Sequence, residues 1–312
     1  MTQQLQQFLQ QLINGLSIGA IYALIAVGYT IVYGVLRLIN FAHGDVYMVG
    51  AMTGFYAATR WLHLDQPSWP GFFLVLICSM LVCGTLGYFI EMFAYRPLRN
   101  QPRIVSLITA IAVSMLLEFG GQAKWMFGPD PKAFPDLIPG VELSPDLLHV
   151  GQIVIGKVDT LIFAVTLVMM FGLRYVVRET KMGLALRAVS YRFDTASLMG
   201  VNVNRVISFT FVLGSVLAAT AGVLVGLRSP KVDPLMGLLP GLKAFIAAVL
   251  GGIGDIGGAV AGGLLLGITE AMVVSYFPHG SQYRDGVAFL VLIAILVVKP
   301  SGLFGRAAID KV

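Results

Sequence analysis

The sequence predicts an all-α fold, a polytopic transmembrane helical bundle, and three observations carry that prediction. The 312 residues are 57% hydrophobic and only 12% charged, where a soluble domain averages about 25% charged. No charged side chain precedes Arg37, and the runs 66–90 and 206–227 are uncharged as well. Each run supplies the roughly 20 apolar residues that cross a hydrocarbon core of about 30 Å. The remaining charges gather between the apolar runs, mostly basic in some intervals and mostly acidic in others. The whole chain, 1–312, reads as one transmembrane domain of about eight spans, with broken or re-entrant segments near 37–50 and 235–258.

Span one covers 12–33 and carries Gly15-xxx-Gly19, the spacing that lets two helix backbones approach closely. A polar interruption, RLINFAHGDVYMVG at 37–50, leaves little sequence for an excursion out of the membrane. Span two, 46–61, repeats the small-residue spacing at Gly50 and Gly54 and ends beside an interfacial tryptophan, Trp61. Span three covers 71–94, and Arg96, Arg99, Arg103 and two prolines then make a short turn of cytoplasmic character. Span four is 104–125. The long loop 127–159 is proline-rich, with Asp130, Asp136, Glu142, Asp146 and Asp159 against Lys132 and Lys157, so it is expected outside. Span five is 160–177 and span six 206–227. Beyond them, 235–258 is too rich in glycine and proline for an ordinary span, 259–277 is a clear one with Gly263-xxx-Gly267, and 287–298 is the last. Lys299, Arg306 and Lys311 suggest a cytoplasmic C-terminus, which requires 235–258 to cross effectively. The first residues have no basic segment ahead of a short apolar run, so they do not read as a cleavable signal. Cys78 and Cys83 share one apolar run and read as small buried hydrophobes.

The longest polar island runs from Arg174 at the end of span five to Arg205 and includes the loop 178–205, with Arg174, Arg178, Lys181, Arg187, Arg192 and Arg205 against Glu179 and Asp194. Met182, Leu184, Leu186, Ala188, Val189, Ala196 and Leu198 give its middle the pattern of a short amphipathic helix, and Gly200 supplies a left-handed stop. Its basic character places it in the cytoplasm. The same bias accounts for the net charge of +5 without nucleic-acid binding.

Few residues qualify for chemistry. Gly151 to Val158 matches G-x-x-x-x-G-K, but valine stands where Ser or Thr must hold magnesium, so no nucleotide site and no cofactor is expected. No set of catalytic side chains is assembled, and His43 has no second ligand at metal spacing. Asn40, His43 and Asp45 form the densest polar cluster at membrane depth. They line either a broken helix on a translocation path or an interfacial turn between spans. Glu91 and Glu118 lie near span ends, where they can reach headgroups, whereas Glu270 sits deep in its run. Lys243 and Asp255 inside the glycine-rich 237–267 favour a functional break, although glycine also permits tight packing. The path candidates are therefore Asn40, His43, Asp45, Lys243 and Glu270.

Five blocks resemble one family: NGLSIGAIYALIAVGYTIVYGVLRLINFAHGDVYMVGA (14–51), FAYRPLR (93–99), TKMGLALRAVSYRFDTASLMGVNVNRV (180–206), GLKAFIAAVLGGIGDIGGAVAGGLLLGITEA (241–271) and KPSGLFGR (299–306). The chain is similar to LivH-type permease subunits of branched-chain amino-acid ABC importers of the bacterial inner membrane, over nearly its whole length. That resemblance implies a heterodimeric pore with a LivM-type permease chain, two cytoplasmic ATPase subunits that hydrolyse ATP on the permeases' behalf, and a periplasmic substrate-binding protein. It makes 178–205 the cytoplasmic coupling loop, with Lys181, Gly183, Arg187, Ala188, Arg192, Asp194, Ala196 and Gly200 as its contact candidates. Ser190 to Asp194 departs from the family, which often has a Glu-Asn or Glu-Asp pair there. Relatives with the same blocks handle urea and short amides, the first alternative substrate class. An ion-coupled carrier working alone is the second alternative function, disfavoured by the small number of deep charges.

Overall fold

The computed structural model describes residues 3–99, 101–140, 146–150, 153–299 and 301–305. Helix α1 (Gln3–Leu36) is exposed over its first turns and buried from Gly15 onward. It runs antiparallel to α10 (Ile256–Tyr276), and glycine makes this contact possible. A Cβ at Gly15 would lie 2.7 Å from the Cα of Ile268, one at Gly19 2.8 Å from the Cα of Leu264, and one at Gly263 2.6 Å from the backbone nitrogen of Ala23. Lipid is as apolar as leucine, so close backbone packing of this kind, not burial from water, holds two spans together.

After α1 the chain turns at Arg37, which adopts φ 54°, and re-enters the bundle. Helix α2 (His43–Tyr56), continued as a π-helix over Ala57–Trp61, starts beside Gly28, about two turns before the end of α1. It lies along α8 (Val203–Arg228), where a Cβ at Gly50 would stand 2.6 Å from the Cα of Ala219. Helix α3 (Trp69–Phe89) is N-capped by Ser68, whose hydroxyl accepts from Gly71 N, and passes through a π segment (Ile90–Tyr95) into a 3₁₀ turn (Arg96–Leu98). Helix α4 (Arg103–Gly121) returns. The 127–159 loop contributes β1 (Lys132–Ala133), β2 (Asp146–Val150) and β3 (Ile153–Gly156). The β2–β3 hairpin is antiparallel, and β1 pairs with β4 (Lys231–Val232). Helices α5 (Lys157–Glu179), α6 (Lys181–Tyr191) and α7 (Phe193–Leu198) lead to α8, and α9 (Leu238–Gly251), α10 and α11 (Gly280–Val298) complete the chain.

Seven helices among the described residues are long and apolar enough to cross a membrane. The difference from about eight is span two: α2 has only 14 residues and opens on the polar His43-Gly44-Asp45. Helix α9, also 14 residues, starts against Gly44 and ends near Gly254, which faces Gly34 at the far end of α1. Since β4 lies with the 127–159 loop, the segment from β4 to Gly254 passes from one end of the bundle to the other, through a turn at 234–237 and then helix α9. The last span starts at Gly280, seven residues before the expected 287, with Arg284 and Asp285 inside it. Asp159 belongs to the first turn of α5, not to the loop. Arg306, Lys311, Glu142, Gly151 and the side chains of Arg103 and Asp146 lie outside the described residues. Helices α1, α2 and α8 form the buried centre, and α4, α5 and α11 are largely exposed on its outside.

Candidate functional site

The five path candidates fall into two separate centres. The first is the re-entrant turn. Asn40 is buried, and its Oδ1 accepts from the Tyr95 hydroxyl at 2.9 Å. His43 fills space left by Gly28 and Gly214 and meets Tyr29 edge-on, with ring centroids 4.6 Å apart. Asp45 is 2% exposed, and its Oδ2 accepts from Ser114 Oγ on α4 at 2.5 Å. Its other oxygen faces the start of α9, since a Cβ on Gly237 would lie 2.9 Å from Oδ1. The starts of α2 and α9 thus meet, packed as bare backbone: a Cβ at Gly241 would lie 2.8 Å from the Cα of Gly44. Neither helix has a side-chain cap on its first turn. The polar cluster is therefore buried inside the bundle, where α2 and α9 begin.

The second centre holds Lys243 and Glu270, and α11 joins it. Lys243 Nζ lies 2.8 Å from Glu270 Oε1 and 2.5 Å from Asp285 Oδ1. Arg284 Nε donates to Glu270 Oε2 at 2.6 Å, and the Tyr22 hydroxyl donates to the same oxygen at 3.0 Å. Two cations and two carboxylates compensate one another, as buried charges require. Asp255, in contrast, is a helix cap: its side chain accepts from Gly258 N at 2.6 Å.

The polar island is a helical pair projecting from the end of the bundle marked by Gly34 and Gly254. Thr180 caps α6 by accepting from Gly183 N, and a Cβ on Gly183 would collide with the carbonyls of Val176 and Val177. Gly183 is small because α6 folds tightly back on α5, so its place in the pattern has an internal cause. Leu186, Val189 and Ala196 are buried against the bundle, whereas Lys181, Arg187, Ala188, Arg192 and Asp194 are exposed. Arg192 is extended (φ −152°) and separates the two helices. Gly200, at φ 82°, closes α7 with Gly200 N donating to Ser197 O and Val201 N to Ala196 O, the paired bonds of a Schellman stop. Asn202 then caps α8 by accepting from Arg205 N at 3.1 Å. Leu184, Tyr191, Leu198 and Met199 stand exposed on this pair as an apolar patch.

Glu91 does not reach headgroups. It is fully buried, paired with Arg96 at 2.8 Å and with Arg99, and it accepts from Ser208 Oγ at 2.6 Å. Sequence reasoning missed Tyr22, Ser114, Arg284, Asp285 and the Ser17–Asp159–Arg228 cluster that ties α1, α5 and α8 together. Arg284 and Asp285 carried a signal only as adjacent opposite charges just ahead of the apolar run 287–298. Tyr22 and Ser114 carried none. No group of three His, Cys, Asp or Glu placed to hold a metal occurs among the described residues.

Residues 11–296 match the family described as branched-chain amino acid transport system / permease component. The chain is 44% identical over 312 residues to the high-affinity branched-chain amino acid transport system permease protein BraD of Pseudomonas aeruginosa, covering 99% of each chain. It is 41% identical to the LivH permease proteins of Salmonella typhimurium and Escherichia coli, covering 100% of each. The ribose import permease protein RbsC of Haemophilus influenzae is 25% identical over 92% of this chain and 82% of its own length. With seven helices fit to cross a bilayer and a family match over nearly all of its length, the chain is a multi-pass membrane protein of the branched-chain amino acid transport permease family.

Proposed function

We propose that this chain is a transmembrane permease subunit of an ATP-driven importer of branched-chain amino acids in the bacterial inner membrane. It pairs with a second, LivM-type permease chain, is driven by two cytoplasmic ATPase subunits and receives substrate from a periplasmic binding protein. The full-length similarity to BraD and LivH supports the transport class and substrate. The observation that carries the mechanism is the exposed pair α6–α7, apolar at Leu184, Leu198 and Met199 and basic at Lys181, Arg187 and Arg192.

ATPase subunits that close on ATP must push on something that does not yield. Helix α6 is clamped to α5 at Gly183, and the Schellman stop and the Asn202 cap leave only Met199, Gly200 and Val201 between α7's end and α8's cap. A push on the pair therefore reaches α8, which lies against α2, the helix that carries Asp45 in its first turn. Asn40, His43, Asp45, Lys243 and Glu270 are the residues of the path that such a movement would reshape. Reconstitution with the partner subunits tests this: leucine uptake into proteoliposomes should require both ATP and the soluble receptor. Uptake by this chain alone on an ion gradient would overturn the proposal.

A further inference from the structure

Asp45 raises a question that the coupling mechanism does not answer. It is a carboxylate 2% exposed inside a membrane bundle, and no Lys, Arg or His pairs with it among the described residues. Every other deep carboxylate has a cation: Glu91 has Arg96 and Arg99, and Glu270 has Lys243 and Arg284. An uncompensated buried charge is costly, and such residues at membrane depth mark sites of function. Glu118, one helical turn beyond Ser114 on α4, adds a second acidic group to the same face.

Asp45 also lines a small cavity of about 30 Å³, with Tyr29, Phe41, Ser114, Leu238 and Leu242 around it. That space holds a water or one group of similar size. The acceptors are set for three donors. Asp45 Oδ1 takes no hydrogen bond from another residue among the described residues. Ser114 spends its proton on Asp45 Oδ2, which leaves its lone pairs free. The Tyr29 hydroxyl lies at the same wall, close to Gly241. Beside this acid pocket, the uncapped start of α9 offers free N–H groups that favour an anion, and Phe41, Leu238 and Leu242 supply apolar contact.

The geometry points to an ammonium-recognition site: Asp45, Ser114 and Tyr29 receive the α-amino group of the transported amino acid where α2 and α9 begin. The inference rests on the importer reading and adds to it the residues that read the substrate's head group. The amino acid's carboxylate meets the first turn of α9, and its aliphatic side chain meets Phe41, Leu238 and Leu242. The cavity admits only the ammonium in the state described, so the packed contact of Gly44 with Gly237 and Gly241 must loosen to take the rest. The competing explanation is that Asp45 merely stabilises the start of α9 as a hydrogen-bonding group, a task that asparagine does as well.

The test uses the complete complex in proteoliposomes, with ATPase subunits and loaded receptor. Two quantities are read: ATP-dependent uptake of radiolabelled leucine, and leucine retained by the vanadate-trapped complex after the receptor is washed away. Asp45→Asn is expected to lower both at least about tenfold, the scale of one lost charged hydrogen bond, with complex yield and thermal midpoint unchanged. Wild-type levels of both in Asp45→Asn overturn the ammonium site and leave the importer reading intact. No leucine uptake by the wild-type complex overturns both. If Asp45→Asn does not assemble, Ser114→Ala, which keeps the carboxylate, takes its place: retention should fall about fivefold, and unchanged retention overturns the site.

Discussion

At Lys243 one ammonium, its side chain only 6% exposed, is shared by Glu270 at 2.8 Å and Asp285 at 2.5 Å, and it lies 5.8 Å from the centre of the Tyr22 ring. Desolvating this group is costly, and the two carboxylates offset that cost only while the geometry holds. Lys243→Met keeps the bulk of the stem but leaves Asp285 unpaired and Glu270 dependent on Arg284 and Tyr22. Breaking a buried pair in this way costs roughly 3 kcal/mol, so the purified protein in detergent should unfold several degrees lower. Arg284→Lys should cost less, because a cation remains. An unchanged midpoint for Lys243→Met would mean that the cluster contributes nothing to holding α9 against α10 and α11. Glu270 stood out in the sequence as a lone acid in an apolar run. Lys243 stood out as well, but their pairing with each other and with Arg284 and Tyr22 did not, because every partner comes from a different helix.

The contact of α1 with α10 depends on glycine at every step, and the distances predict which substitutions are tolerated. A side chain at Gly263 must displace the backbone of Ala23, which cannot yield without moving α1. Gly263→Leu should therefore abolish the folded protein, and Gly263→Ala should cost on the order of 2 kcal/mol. Gly172 on α5 is the control, with nothing within 4 Å of its would-be Cβ. There, Gly172→Ala should be neutral or stabilising by about 0.5–1 kcal/mol, since alanine loses less entropy in a helix. Recovery of monodisperse protein and its thermal midpoint check both. The Gly-xxx-Gly spacings at 15/19, 50/54 and 263/267 were legible in the sequence because small-residue periodicity is local. Which helix each pair would meet was not, because the neighbouring helices are similarly apolar; partner choice is decided by shape across the bundle.

For the molecule as a whole, the question is how a push at one end reaches the middle of the membrane. The exposed face of α6–α7 separates from its structural face, so the two can be altered independently. Ala188 is exposed and touches no structural seam, whereas Gly183 is closed in by α5. In the assembled importer, Ala188→Glu should leave insertion and thermal midpoint unchanged and cut leucine uptake about tenfold or more, with ATP hydrolysis no longer tracking transport. Gly183→Leu should instead damage folding, by the same overpacking as at Gly263. Full uptake in Ala188→Glu would show that the partner docks elsewhere.

The all-α membrane class, the basic island with its glycine stop and the polar break at 37–50 follow from the sequence alone. Apolar length, charge bias and the left-handed preference of glycine act over a few residues, so they can be read without knowing any neighbour. Only the tertiary structure decided that α2 and α9 start against each other, that Glu91 and Glu270 are compensated and that Asp45 has no cation among the described residues. Each of these depends on which distant side chain arrives within a few ångströms. Between helices of similar hydrophobicity that is settled by close backbone packing at particular glycines, and no local pattern encodes it.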